Sequence, residues 1–382
     1  MKSMDATHLH FVQSIEPLQG GGLGRAALEL HHAFARAGAS SKLVATRGAH
    51  AQAADDPSVT EFMRSGPSMV YFAPDLRRAA SALVSTSEVV HAHGLYTAVN
   101  WTLGAAARKL ERPLVYHVHG FFEPWILDRS RLRKRLVHVL FENANFKHAR
   151  LWRALTSKEA DQIRAQGITA PVVVAANGID LSALDVRSEA IDSSAHATKS
   201  RRRMLFLARL HPKKGLGMLV PAWAKLGQAV KDWELVVAGP DELGHLAEVQ
   251  ALVRRHGLEE RVRFTGSVTG TEKIALLRSA DVFVLPSHSE GFSVAILEAM
   301  ASRVPVAATY ACNFPELEHE AGGWLCEPDT EAVSMMLLRA VSCPDDELRA
   351  RGQAARRLVE TRFTWPSISK LVLDACAEHC RL

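Results

Sequence analysis

The chain is short of the residues that staple small exported domains. Five of its 382 residues are cysteine (Cys312, Cys326, Cys343, Cys376 and Cys380), all late, odd in number and without a Cys-x-x-Cys spacing. Neither a disulfide framework nor a structural zinc site follows from that pattern, and reduced thiols are expected. His379 lies between Cys376 and Cys380 but brings no fourth ligand. Long apolar runs are also missing. Val89 to Ala107 is uncharged and long enough to span a bilayer, yet His91, His93, Asn100 and two glycines make insertion costly. The N-terminus places Asp5, His8 and His10 where a signal peptide needs an apolar stretch, so export by that route is not expected. Charge of one sign is lacking too. The 46 Lys and Arg against 41 Asp and Glu leave only +5, without the concentrated positive field of a nucleic-acid binder. No nucleic-acid partner is expected, while small anions and anionic membrane surfaces stay open.

What is present is an ordinary soluble composition, 47% hydrophobic and 23% charged. Single cores stop growing near ~250–300 residues, so 382 residues call for two domains. Short β-branched runs alternate with helical patterns, which specifies α/β domains with parallel sheets wound by helices. Strands are expected near Leu9–Val12, Lys42–Ala45, Val89–His93, Leu114–His119, Ala154–Thr156 and Val172–Ala175, with helices such as Leu23–Ala37 and Thr97–Leu110 between them. The same grammar restarts at Met204–Ala208 and runs through Glu234–Ala238, Arg261–Phe264, Val282–Leu285 and Val306–Ala308. Ser182 to Arg203, rich in Ser, Ala and charge, carries no apolar periodicity and suits a connection. The expected organisation is a Rossmann-like domain over 1–182, a linker over 183–203, a second Rossmann-like domain over 204–362, a final helix over 363–382, and a cleft between the domains.

Several motifs carry chemistry. Gly20 to Gly24 follows the first strand and opens a helix, where backbone amides and a helix N-terminus suit an anion, although a bare tight turn reads equally well. Its partial dinucleotide fingerprint is weak, because Arg47 stands where a ribose-binding acid would be. Two His-x-His pairs, His91/His93 and His117/His119, end strands with both rings on one face. A metal site would need a converging carboxylate, a substrate site needs only one of the rings, and most histidines are simply satisfied or solvated. In the second half, Arg209-Leu-His-Pro-Lys213-Lys214-Gly215 is a basic turn before a helix, able to neutralise a diphosphate or merely to be solvated. Glu290 and Glu298, separated by seven residues, follow a buried strand that ends at Pro286-Ser287. With the amides of Gly291 to Val294 between them they can border one elongated ligand, one carboxylate holding vicinal ribose hydroxyls, or Glu290 can simply favour the positive end of a helix.

Taken in order, these residues resemble the family-4 retaining glycosyltransferases (glycosyl transferases group 1) of the GT-B fold, over nearly the whole chain. The resemblance rests on Gly21-Gly22, His119-Gly120, Thr156-Ser157, Asn177-Gly178-Ile179-Asp180, Arg209 with Lys214, Gly239, Phe264-Thr-Gly266, Pro286-Ser287, the Glu290/Glu298 pair and Phe363-Thr-Trp365 with its helix. It implies two Rossmann-like domains facing a cleft and a last helix crossing back to the first. It implies further that Arg209 and Lys214 grip the donor diphosphate and Glu298 the donor ribose. Glu290 with Gly291, Phe292 and Ser293 would hold the transferred sugar and phosphate, and Gly266 and Val268 would lie near the base. Gly21 and Gly22 would approach the diphosphate, and His119 would lie beside sugar and acceptor. The donor is then a nucleotide-diphosphate sugar, no cofactor or metal is needed, and configuration is retained. Cations at the departing diphosphate should supply most of the catalysis, so Glu290 is not automatically a nucleophile.

The segment Phe121 to Leu127 resembles the loop of exopolysaccharide-type members, which leaves the acceptor open. Asp128 to Phe141 combines Arg129, Arg131, Arg133, Lys134 and Arg135 with apolar residues at helical spacing. Such a face docks on anionic lipid or covers a packed stripe of any surface helix. The expected activity is hexosyl transfer to a glycan or polyprenyl-diphosphate-linked acceptor in bacterial envelope or exopolysaccharide synthesis, by a cytoplasmic protein peripheral to the plasma membrane. The competing readings are a nucleotide-sugar epimerase or phosphorylase of the same fold, a metal-dependent hydrolase using the His-x-His pairs, and an inactive binding homologue.

Overall fold

A computed structural model of the chain describes residues 6–16, 19–66, 70–123, 141–185 and 201–381. The basic stretch with Arg129, Arg131, Arg133, Lys134 and Arg135 lies outside the described residues, as does most of the 183–203 linker. Two compact units result, Met1–Gly178 with Trp365–Leu382, and Ile179–Thr364. The chain therefore enters the second unit four residues before the expected end of the first domain at 182.

The first unit is built on seven parallel strands, β1 (Thr7–Phe11), β2 (Ser40–Arg47), β3 (Val59–Met63), β4 (Val89–His93), β5 (Leu114–His117), β6 (Ala149–Ala154) and β7 (Val172–Val174), ordered β3-β2-β1-β4-β5-β6-β7. All five residues of β4 are buried, as a central strand covered on both faces requires. Leu9, Phe11, Val90, Tyr116 and Trp152 lie in the core over which helices Pro74–Ser85 and Ala98–Lys109 pack against one another. Helix Trp365–His379 belongs to this unit and packs on helix Gly21–Arg36 and on β6. Trp365 lies so close to Gly178 that a Cβ there would stand 2.7 Å from the Trp365 backbone.

The second unit holds six parallel strands, β8 (Arg202–Leu207), β9 (Trp233–Ala238), β10 (Val262–Gly266), β11 (Val282–Leu285), β12 (Val306–Thr309) and β13 (Gly323–Cys326), ordered β10-β9-β8-β11-β12-β13. Strand order reverses between β1 and β4 in the first sheet and between β8 and β11 in the second. In open sheets of this kind ligands bind outside the carboxyl ends of the strands where the order reverses.

Three strands depart from expectation. β6 covers 149–154 where 154–156 was expected, because Thr156 caps the next helix and because Arg150 and Arg153 disguise the run. β3 is a half-exposed edge strand and β13 has only four residues, so neither offers a clear apolar run. No helix among the described residues is long and apolar enough to cross a membrane.

Candidate active site

At the reversal of the second sheet two turns interlock. After β8 the chain passes Arg209 and makes a short turn, Pro212–Lys214, capped by Gly215 in the left-handed region at φ 80°. A Cβ on Gly215 would stand 1.8 Å from the carbonyl oxygen of Pro286, which follows β11, so only glycine lets the turns approach. His288 donates its backbone N–H to Lys213 O at 2.8 Å. The two turns are thereby held in register.

This register brings Lys214 Nζ to 2.5 Å from Glu290 Oε1, with both side chains largely buried at 16% and 8% exposure. Ser287 Oγ donates to the same oxygen at 2.6 Å, while Glu290 Oε2 has no hydrogen-bond partner among the described residues. The loop is fixed from the β12 side as well. Glu290 N donates to Ala311 O at 3.0 Å, Asn313 Nδ2 to Glu290 O at 2.5 Å and Thr309 Oγ1 to Ser287 O at 2.6 Å. Neither Ser287, Thr309 nor Asn313 was singled out as a support of Glu290 in the sequence; only Ser287, next to Pro286, carried any signal.

Glu290 leads into helix Val294–Ala301, whose N-cap is Ser293, the hydroxyl accepting from Ile296 N at 3.4 Å. The Ser293 side chain thus organises the helix start, leaving amides of the first turn as anion donors. Phe292 packs on Phe314 at a ring-centroid distance of 4.8 Å. Glu298, inside the helix, forms an ion pair with Lys273 at 2.6 Å, a partner the sequence reading did not name. Arg209 is the exposed member of the set at 63%, paired with Glu242 at 2.8 Å. Gly266 ends β10 beyond a register shift between Phe264 and Gly266, its carbonyl accepting from Gly239 N at 2.8 Å, and Val268 is buried close after it. Arg209, Lys214, Gly266, Glu290 and Glu298 therefore follow or close strands of one sheet, and Lys214 and Glu290 touch directly.

The first unit shows the same economy at the β1–β4 reversal. A Cβ on Gly20 or Gly24 would stand 2.2 Å from Ser14 O, whereas among the described residues nothing lies within 4 Å of the position a Cβ would take on Gly21 or Gly22. The outer glycines serve the turn and the inner two face open space at the start of helix Gly21–Arg36.

The His-x-His pairs turn out to belong to a larger array. His8 and His10 of β1 join His91 and His93 of β4 and His117 and His119 of and just after β5. His8 Nδ1 meets His91 Nε2 at 2.9 Å, and His91 Nδ1 meets His117 Nε2 at 3.0 Å. Beside this file, His10 Nδ1 meets His93 Nε2 at 3.0 Å, and His93 Nδ1 meets His119 Nε2 at 3.2 Å. Burial pushes His8 down to about 4, and burial together with the Arg153 charge pushes His119 down to about 3. Burial likewise holds His10, His91, His93 and His117 well below the usual histidine range. Arg153 of β6, buried, reaches His117 Nδ1 at 3.4 Å, and burial lowers it only to about 10, so it stays charged. His93, His117 and His119 each bring one nitrogen within 4.8 Å of the others. Arg153 puts a cation beside that cluster, where an ion's own charge would sit.

His119 occupies a left-handed conformation at φ 54°. The turn is held by Glu159, whose carboxylate accepts from Gly120 N and from Leu155 N, the latter at 2.5 Å. Thr156 caps helix Ser157–Ala165 by accepting from Glu159 N at 3.2 Å. Thr156-x-x-Glu159 has capping-box spacing, but the carboxylate is diverted to the neighbouring strand end. That spacing was the signal by which Glu159 could have been found.

Comparison with known proteins places this arrangement. Residues 201–342 match "Glycosyl transferases group 1" and residues 20–183 match "Glycosyltransferase Family 4". The lipopolysaccharide core biosynthesis mannosyltransferase LpsB of Rhizobium meliloti is 30% identical over 264 residues, 65% of this chain and 74% of that protein. The amylovoran biosynthesis glycosyltransferase AmsK of Erwinia amylovora is 36% identical over 169 residues, 42% of this chain and 41% of that protein. The putative colanic acid biosynthesis glycosyltransferase WcaL of Escherichia coli is 31% identical over 210 residues, 52% and 49% of the two chains. The chain thus spans about half the length of these last two relatives, or less. Among solved structures, Anabaena Alr3699/HepE in complex with UDP superposes with a TM-score of 0.75 at 22% identity, over 97% of this chain and 100% of that one. WaaG, a glycosyltransferase involved in lipopolysaccharide biosynthesis, gives 0.72 at 16% identity, over 96% and 99%. Likeness at these identities fixes the fold as GT-B, and together with the match to LpsB it makes the chain a member of the family-4, group 1 glycosyltransferases.

Proposed function

We propose that the protein transfers a hexose from a nucleotide-diphosphate sugar to a glycan or polyprenyl-diphosphate-linked acceptor in envelope or exopolysaccharide synthesis, with retention and without a metal ion. The observation that carries the reading is the Lys214–Glu290 contact at the reversal of the second sheet, a cation and a carboxylate pinned by interlocked turns beside a helix N-terminus. Relatives named for amylovoran, colanic acid and lipopolysaccharide core synthesis support the pathway class.

In this reading Lys214 and Arg209 take the diphosphate, with the amides of Gly21 and Gly22 as further donors. Glu298 accepts from ribose hydroxyls, and Gly266 and Val268 adjoin the base. Glu290 offers Oε2 to a sugar hydroxyl while Oε1 stays with Lys214 and Ser287, next to Gly291, Phe292 and Ser293. His119 is the hydrogen-bond partner of the carbohydrate. As the anomeric C–O bond breaks, its electron pair goes to the diphosphate oxygen, whose growing charge the cations stabilise. The acceptor oxygen bonds the anomeric carbon on the same face and its proton passes to the departing phosphate. Glu290, held by Lys214, then needs no role as a nucleophile. The location proposed is cytoplasmic, with the basic 128–141 sequence docking on anionic lipid. Cosedimentation with anionic vesicles at low salt tests that part, and no binding there removes it.

A panel of nucleotide sugars scored for nucleoside-diphosphate release, with and without glycan acceptors, tests the activity. One donor should be turned over slowly alone and faster with an acceptor, with product analysis giving the retained anomer. Interconversion of the sugar without release of the diphosphate would identify an epimerase instead, and metal-dependent hydrolysis abolished by a chelator would identify the hydrolase.

A further inference from the structure

Five histidines on three neighbouring strands, with His119 in the turn after the third, form two hydrogen-bonded files that run across the first sheet, from β1 through β4 to β5, with Arg153 on the next strand, β6. The files lie against each other, His10 stacked on His91 at 4.3 Å and His93 on His117 at 4.2 Å between ring centroids. A neutral imidazole has one N–H and one bare nitrogen, so each bond in a file dictates the tautomer of the next ring. One donor at an end therefore sets an entire file.

In the first file the end is decided. Arg153 can only donate, so His117 Nδ1 is bare and His117 carries its proton on Nε2. His91 must then accept at Nδ1 and carry its proton on Nε2, and His8 the same. The proton left over is on His8 Nε2, which has no hydrogen-bond partner among the described residues. In the second file His10 Nε2 is likewise unpartnered, and no hydrogen bond reaches His119 Nδ1 among the described residues. Both β1 rings meet Phe34 nearly perpendicular, at centroid distances of 5.0 and 4.9 Å, an arrangement in which an aromatic face can receive an N–H. Arg153 provides the second constraint. Its charge stands at the β6 side of both files, held by Ala175 O at 2.8 Å and Asn177 Oδ1 at 3.2 Å. A buried cation orients nearby dipoles with their bare nitrogens toward it and their N–H groups away.

We infer that Arg153 and the two histidine files act as positioning residues that deliver His119 in a single tautomer, Nε2 protonated and Nδ1 bare, so that it meets the carbohydrate as a hydrogen-bond acceptor from a hydroxyl group. The tautomer belongs to the free protein; its use rests on the function proposed above. His93 and His10 make no contact with substrate in this account. They act through His119.

Nitrogen NMR of the full-length chain labelled in its imidazole rings tests this, with the His119 signals assigned by their loss in His119→Asn. The expected result is a bare Nδ1 and a protonated Nε2 from pH 6 to 8, unchanged in Arg153→Lys and replaced by a mixture of tautomers in Arg153→Gln. A protonated Nδ1 in the wild-type protein overturns the inference, and so does an unaltered single tautomer in folded Arg153→Gln. Should the glutamine variant not fold, the wild-type spectrum still decides. UDP-glucose and GDP-mannose are then added in turn. One of them should shift the Nδ1 signal as a new hydrogen bond does. Signals unmoved by either sugar nucleotide, with the tautomer as stated, would overturn the carbohydrate role of His119 and leave the files' effect on the free protein standing.

Discussion

The central strands of the first unit carry neutral imidazoles, whereas the loops and helices that follow the strands of the second carry formal charges paired with one another. His8, His10, His91, His93 and His117 are almost fully buried and bond to one another or to Arg153. Lys214–Glu290, Lys273–Glu298 and Arg209–Glu242 are ion pairs at increasing distance from burial in their carboxylates, 8%, 14% and 35% exposed. Neutral dipoles can be kept inside a sheet at modest cost when most of their nitrogens are bonded, while full charges must be paired, hydrogen-bonded or wet. The first unit therefore stores polarity as bonded imidazoles in its core, while the second holds charge as ion pairs that run from the buried Lys214–Glu290 contact to the exposed Arg209–Glu242 pair.

The largest effect that separates the two is acidification. A histidine whose folded pKa is depressed leaves the unfolded chain binding more protons below its ordinary value near 6.5, so stability rises with pH in that window and is lost as pH falls. Each such group removes about 1.4 kcal/mol per pH unit between roughly pH 6 and its folded value. For His8 that window reaches down to about 4 and for His119 to about 3. With six groups acting together, the melting temperature should drop on the order of 10 °C or more between pH 7 and 5. Hydrogen exchange should open the first unit before the second. Equal acid loss of protection in both units would break the comparison.

Next comes the Lys214–Glu290 contact. On the proposed function, Lys214→Met removes the cation that would stabilise the departing diphosphate, and it leaves the buried Glu290 carboxylate without its ion-pair partner, held by Ser287. Turnover should fall about 100-fold or more, and stability by about 3 kcal/mol. Turnover within a few-fold of wild type would contradict the charge argument. Steady-state kinetics and urea unfolding read the two effects separately.

Much of this was legible in the sequence, and the remainder has physical reasons for having been hidden. Arg209, Lys214, Glu290 and Glu298 were visible because charged residues after apolar strands are conspicuous. Their partners were not, since Lys273 and Glu242 sit on ordinary amphipathic or loop sequence and only the fold brings them near. The His-x-His pairs at 91/93 and 117/119 were read singly or as a metal set. The third pair, His8/His10, was noticed only as polar residues unsuited to a signal peptide, because nothing local says that β1 lies beside β4. Arg153 was hidden by lying in a strand with charge at 150 and 153, which moved the expected strand to 154–156.

Glu159→Gln sharpens the contrast from the first unit's side. Its carboxylate accepts from two amides, and a carboxamide has one oxygen for them, so one N–H is left without an acceptor. Stability should fall by about 1–2 kcal/mol, and the Michaelis constant should rise with little change in turnover if the strained His119–Gly120 turn loosens. An unchanged Michaelis constant would separate Glu159 from the site.

The smallest stability change belongs to the exposed pair. Arg209→Ala should alter unfolding by less than about 0.5 kcal/mol, yet on the proposed function turnover should still fall about tenfold or more, since the diphosphate would then lose a cation that the folded protein hardly uses. Loss of stability comparable to Lys214→Met would erase the distinction between edge and interior charge.

Calorimetric titration of a nucleoside diphosphate into the wild-type chain and into Lys214→Met tests the central claim most directly. The account predicts that at least one of UDP, GDP and ADP binds the wild-type protein and binds the variant at least about tenfold more weakly, a loss of about 1.4 kcal/mol. Equal affinity in both proteins, or no binding of any of the three to the wild type, would contradict it.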